Sequence, residues 1–161
     1  MTISVKTFFD TATNNATHVV CDTETRSCAI IDPVLDFDLA AGQTATQSAE
    51  KIINYVDSEG LKVSWILETH VHADHLTSSA YLKEKLGGKT GIGSGVVDVQ
   101  KTFVAIYNLG DGFAQDGSQF DALFSDNDTF SIGNLEAHVI HTPGHTPACA
   151  TYVVDDCAFT G

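Results

Sequence analysis

The sequence predicts an α+β domain in which sheets are covered by helices. Strand-type runs occupy residues 18–21 and 28–31, a helix-period stripe and a second helix candidate fill the middle, and strand-type runs return after residue 129. Strands, then helices, then strands is not the regular alternation of a doubly wound parallel fold. A length of 161 residues suits a single domain, and a 43% share of hydrophobic residues suffices for a core.

His18-Val-Val-Cys21 and Cys28-Ala-Ile-Ile31 are apolar runs separated by the polar residues 22–27, which predicts a hairpin closed by Asp32-Pro33. Residues 36–43 read as a loop. After Thr46, Ala49, Ile52, Ile53 and Val56 fall at the i, i+3, i+4, i+7 spacing of an amphipathic helix, and Gly60 stops it. Val63-Ser-Trp-Ile-Leu67 predicts a strand that runs straight into Glu68-Thr-His-Val-His-Ala-Asp-His75. A helix over 77–86 follows, ended by Gly87-Gly88. Residues 96–109 have mixed helical character and 110–119 form a Gly- and Asp-rich loop. Strands are predicted at 129–132, 135–141, 150–154 and from 157 onward. Phe8, Phe9, Tyr55, Trp65 and Tyr81 lie in or beside these elements and read as core.

Charge excludes several classes of partner. With 21 Asp+Glu against 8 Lys+Arg the net charge is −13, a field that repels phosphate backbones and anionic lipid. Neither a nucleic-acid nor a membrane partner is expected. No run of about 18 apolar residues is present to span a bilayer, and Met1-Thr-Ile-Ser-Val-Lys6 lacks a leader pattern. A cytoplasmic location is expected. Cys21, Cys28, Cys149 and Cys157 form no CxxC and read as small buried hydrophobes. Cys21 and Cys28 can face each other across the hairpin, so a disulfide there stays open.

Three of the seven histidines and one carboxylate fall within six residues, His70-Val-His72-Ala-Asp74-His75. Just after a strand, alternate side chains project to one side, which points His70 and His72 together. Asp74 and His75 fall at the turn into the next helix, aimed at a second position. Imidazoles and a carboxylate are ligands for zinc, iron or manganese. The plainer account is a polar turn in which Asp74 caps the helix, but capping does not explain three histidines. In His141-Thr-Pro-Gly-His-Thr-Pro147, a Pro143-Gly144 turn presents His145 and supplies a ligand from a second strand end. His138 and His141, three apart on a strand, face opposite sides and read as structural. Cys149, four residues after His145, reads as a packed strand cysteine.

His70-x-His72-x-Asp74-His75 together with Thr142-Pro-Gly-His145-Thr resembles the metallo-β-lactamase superfamily across almost the whole chain. Within it, residues 68–77 and 142–149 most resemble the persulfide dioxygenases, including the β-lactamase-hydrolase-like branch, and Ala158-Phe-Thr-Gly161 fits as well. The glyoxalase II thioesterases share the metal motifs. The resemblance implies an αββα sandwich with the metal at one edge of the two sheets. In hydrolytic relatives the positions matching His70, His72 and His145 hold one zinc, and those matching Asp74 and His75 a second. In persulfide dioxygenases one Fe(II) uses the positions matching His70 and His145 plus an aspartate following the FTG sequence. His72, Asp74 and His75 then orient ligands and water.

Two departures stand out. Residues 93–123 are longer than in compact members, and the chain ends at Gly161, where the family has its bridging aspartate. The expectation is therefore the N-terminal part of the sandwich, inactive by itself. The leading functional expectation is an iron-dependent dioxygenase, one Fe(II) per site, that takes a glutathione-type thiol persulfide and O₂ to sulfite. His70, His145 and Asp74 are the catalytic candidates. The alternatives are a hydrolase of thioesters using one or two Zn(II), and a non-catalytic half-domain without tightly held metal. A homo-oligomer stays open.

Overall fold

The computed structural model describes residues 2–110 and 112–161. β1 (Ile3–Asp10), β2 (Asn15–Asp22) and β3 (Ser27–Ile31) open the chain, followed by β4 (Val34–Asp38), β5 (Gln43–Ala45) and α1 (Gln47–Ser58). β6 (Lys62–Glu68), β7 (Leu76–Thr77), α2 (Ser79–Leu86), β8 (Lys89–Gly93), α3 (Val96–Tyr107) and β9 (Ala122–Phe124) form the middle. β10 (Thr129–Ile132), β11 (Leu135–His141), β12 (Ala150–Val154) and β13 (Cys157–Phe159) complete it.

A six-stranded sheet runs β1-β2-β3-β6-β8-β9, antiparallel over its first three strands and parallel over its last four. A four-stranded antiparallel sheet runs β10-β11-β12-β13, and a small one runs β5-β4-β7. The large sheet is buried on both faces, which explains the unbroken apolar runs read from the sequence. Val19, Cys21, Cys28, Ile30 and Ile66 face Ala49, Ile52 and Val56 of α1 and Leu82 of α2. Their neighbours Val20, Ala29, Ile31 and Leu67 turn the other way, onto Ile132, Leu135, Val139, Tyr152 and Val154 of the second sheet. The layers are thus helix, sheet, sheet. Each fully buried Ile or Leu contributes about 1.5–3 kcal/mol.

Several expectations need correction. Residues 36–43 are not a loop: β4 and β5 pair there, on the alternation of Leu35 and Phe37 with Asp36 and Asp38. β1, β8 and β9 add strands that short or mixed patterns concealed, and α2 begins at Ser79, because Thr77 pairs with Val34 in β7. Phe9 is 61% exposed rather than core, since β1 is an edge strand, while Phe8 packs edge-on against Tyr55. Residues 96–107 are a regular helix. Of the predicted loop 110–119, Asp111 lies outside the described residues, as does Met1. Cys21 and Cys28 are indeed register partners, but both thiols are free, and burial pushes Cys28 up to about 12.

β3 and β6 are parallel neighbours and end at the same edge of the sheet. Loops leaving the carboxyl ends of parallel strands are where such sheets place ligands.

Candidate metal centre

Asp32 follows β3 in the left-handed conformation, φ 52°, which Asp tolerates better than most residues. Its backbone is pinned on both sides. Its N–H donates to Leu67 O at 2.9 Å, and its carbonyl accepts from Thr17 Oγ1 at 2.7 Å and Asn15 Nδ2 at 3.0 Å. The carboxylate thus meets the loop after β6, where Oδ1 accepts the Thr69 N–H at 2.7 Å and Oδ2 accepts the Thr69 hydroxyl at 2.8 Å.

The tautomers of the histidines follow from these bonds. Thr69 Oγ1 has given its proton to Asp32, so at 2.9 Å it accepts from His70 Nδ1 and leaves a lone pair on His70 Nε2. That Nε2 is buried with no partner among the described residues. His72 Nε2 lies 3.1 Å from Asp32 Oδ1 and 3.4 Å from Glu68 Oε2, both acceptors, so its Nδ1 is the outward atom, 4.0 Å from Asp74 Oδ1. His75 Nδ1 donates to Leu76 O at 3.0 Å, and its buried Nε2 also has no partner. Burial, reinforced by His72 and His145, holds His70 down at about 4, so it is neutral at pH 7. Burial alone would lower His72 too, but its hydrogen bond to Asp32 and the nearby carboxylate of Glu68 override it and hold His72 up at about 10. Glu68 is itself pushed up by burial.

The five sequence-predicted residues come together. The His70 and His72 rings lie 4.1 Å apart, His70 and His145 meet edge-on at 4.9 Å, and His72 and His75 stack at 4.2 Å. Among the described residues, His72, Asp74 and His75 place one ligand atom each within 4.8 Å of one another. A cavity of about 340 Å³ is lined by His70, His72, Asp74 and His145 together with Asp32 and Asn15. The buried, partnerless Nε2 atoms of His70 and His75 fit a metal ion, because imidazole lone pairs are otherwise costly to leave unpaired. Asp74 is not the cap of α2, whose preceding residue is Ser78. His138 is exposed beside Glu136, and His141 Nε2 donates to Phe124 O at 3.1 Å, so neither faces the cavity.

Asp32 and Glu68 are the site residues that sequence reasoning missed. Both are acidic residues that close apolar strands, Cys28–Ile31 and Val63–Leu67, and that placement is the signal that could have found them. Glu68 Oε1 accepts from the hydroxyls of Thr77 and Ser79, tying β6 to the start of α2.

The sequence profile of the metallo-beta-lactamase superfamily matches residues 11–161. The chain belongs to this superfamily. It is 53% identical over 155 residues to the beta-lactamase hydrolase-like protein of Agrobacterium fabrum, covering 96% of this chain and 36% of that protein. It is 50% identical to glyoxylase B2 of Dictyostelium discoideum, covering 89% and 50%, and 30% identical to the mitochondrial persulfide dioxygenase ETHE1 of Homo sapiens, covering 99% and 52%. The crystal structure of ETHE1 from Myxococcus xanthus superposes with a TM-score of 0.73 at 25% identity, covering 98% of this chain and 56% of that one. The chain thus spans between about a third and just over half the length of these relatives. The layers described above are those of the metallo-beta-lactamase fold, as the motifs implied. Among the described residues no helix is long and apolar enough to cross a membrane.

Proposed function

We propose that His70 and His145 hold a single Fe(II) in an oxygenase site for a low-molecular-weight thiol persulfide of the glutathione type, in a cytoplasmic protein. One observation carries the metal reading: the buried Nε2 of His70 has no partner and its ring meets that of His145 at 4.9 Å. Two imidazoles presented from separate strand ends suit a two-histidine, one-carboxylate face. Likeness to a persulfide dioxygenase supports the choice of reaction. The overall change is RSSH + O₂ + H₂O → RSH + SO₃²⁻ + 2H⁺. When bound by His70 and His145, Fe(II) would supply the redox chemistry that joins O₂ to the persulfide sulfur. The chain's own residues do the rest. Asp32, through Thr69, fixes His70 in the tautomer that presents Nε2. His72 holds a proton on Nε2 against Asp32 and Glu68, and Asp74 borders the cavity from its exposed side.

A second reading, a dizinc hydrolase of thioesters, is favoured by the His72, Asp74 and His75 group and by the likeness to a protein named glyoxylase. Anaerobic purification of the full-length protein with metal analysis, followed by O₂ uptake on glutathione persulfide and hydrolysis of S-lactoylglutathione, separates the two. One iron per site with O₂ consumed in step with persulfide is the expected result. Two zincs per site, half of them lost in His75→Ala, with thioester hydrolysis and no O₂ uptake, would overturn it.

A further inference from the structure

The loop that carries His145 is closed at its base by main-chain bonds. Thr142 N–H donates to Cys149 O at 2.9 Å, and the next residue, Ala150, donates its N–H to Thr69 O at 2.8 Å, beside His70. The tip is a different matter. Pro143, Gly144 and His145 are exposed, whereas Ala148-Cys149-Ala150 at the base is buried. Cys149 ties the tip to that base twice: its N–H donates to Thr146 O at 3.4 Å, and its side chain adds two shorter contacts. Cys149 Sγ accepts the Thr146 N–H at 3.3 Å and shares a hydrogen with Thr146 Oγ1 at 3.1 Å. Thr146 Oγ1 in turn accepts the Ala148 N–H at 3.3 Å, and Thr146 O accepts the Gly144 N–H at 3.1 Å. Thr146 therefore has its N–H, hydroxyl and carbonyl all committed within the loop, and it is the residue directly after His145.

We infer that Cys149, 1% exposed and bonded through its sulfur to both the amide and the hydroxyl of Thr146, is a positioning residue that holds the His145 ring edge-on to that of His70. The inference rests on the reading of His70 and His145 as metal ligands. Thiol sulfur is a weak acceptor, but it is the acceptor the Thr146 amide has. Cys149→Ala removes it with little change in volume, so the Thr146 amide must turn to solvent and the His145 backbone with it. Cys149→Ser keeps a small side chain able to accept from the amide and exchange a hydrogen with the Thr146 hydroxyl. A group that orients a ligand in this way is worth about 10- to 100-fold in metal affinity.

The test measures Zn(II) affinity by chelator competition on the wild-type protein, Cys149→Ala, Cys149→Ser and His145→Ala, with thermal unfolding of the metal-free forms and exchange of the Thr146 amide alongside. Cys149→Ala is expected to bind zinc about tenfold more weakly and to exchange the Thr146 amide faster, with Cys149→Ser recovering most of both. Wild-type affinity in Cys149→Ala, or equal weakening in the two variants, would overturn the inference, the latter because volume rather than hydrogen bonding would then decide. If His145→Ala binds zinc as tightly as the wild type, the ligand reading itself has failed, which is a separate outcome. Unfolding of both Cys149 variants would assign the residue to the core and equally overturn the positioning role.

Discussion

His70 and His145 reach one cavity from two strand ends, and the protein supports them in different ways. The loop after β6, buried at Thr69, His70 and His75, is held by side chains from elsewhere in the chain: Asp32, just after β3, grips Thr69 and His72, and Asn15 and Thr17 from β2 grip Asp32. The loop after β11 is exposed over residues 142–145 and held mostly by contacts among residues 142 to 149, with Thr142 Oγ1 also meeting Thr151 Oγ1 of β12 at 2.9 Å. The first is a long-range network whose orientation depends on the sheet being assembled. The second is a local turn whose shape is written in consecutive residues. Both present an imidazole to the cavity; sensitivity to the rest of the fold is not shared.

The largest expected effect erases the contrast. His70→Ala and His145→Ala should each abolish tight metal retention, measured by metal content after dialysis, because the proposed site draws one imidazole from each of the two loops. Retention in either variant would remove that region from the site.

Asp32→Ala should expose the contrast most sharply. It leaves the Thr69 amide and hydroxyl and His72 without their buried acceptor, for a cost of about 3–5 kcal/mol in denaturant unfolding, and it should weaken metal binding by about 10- to 100-fold. No single substitution among residues 142–147 apart from His145 should lower stability as much. A Thr142→Ala variant as unstable as Asp32→Ala would show that the two loops are not supported differently.

The buried region also sets a pH dependence for the metal-free protein. His70, held at about 4 against a usual 6.5, contributes stability above pH 6.5 that is lost as pH falls toward 4. His72, held at about 10, contributes stability below pH 6.5 that is lost as pH rises toward 10. Thermal unfolding without metal should therefore be most favourable to the fold near pH 6.5 and decline on both sides. His72→Gln should flatten the alkaline limb. The same proton competes with metal, so zinc affinity should rise with pH through the neutral range.

The smallest expected effect compares two glycines. A Cβ at Gly161 would come within 2.8 Å of His70 Nδ1 and Thr69 Oγ1, whereas one at Gly144 meets nothing within 4 Å. Gly161→Ala should weaken metal binding by displacing His70, and Gly144→Ala should leave it within about twofold, since exposed substitutions seldom exceed ~0.5 kcal/mol. Equal effects would mean that the packing around His70 is loose.

The sequence by itself determined the parts of this protein that are local. Three histidines within six residues and a Pro-Gly turn before His145 fix which side chains leave the strand ends, and the stripe Ala49, Ile52, Ile53, Val56 fixes α1, because each depends only on near neighbours and on backbone period. The same holds for β6 and for the strands β10 to β12. What only the tertiary structure decided is pairing. β8 and β9 are five and three residues long and gain their strand character from parallel neighbours. β4 and β5 read as a loop until Asp36 meets Ala45 across the hairpin. Asp32 and Glu68 looked like strand ends, and they become the carboxylate neighbours of His72 only when β3 and β6 lie side by side and put residues 40 and 4 positions apart within 3.4 Å of one imidazole. A hydrogen bond between strands has no signature in either strand alone, since it depends on a register that the whole sheet sets.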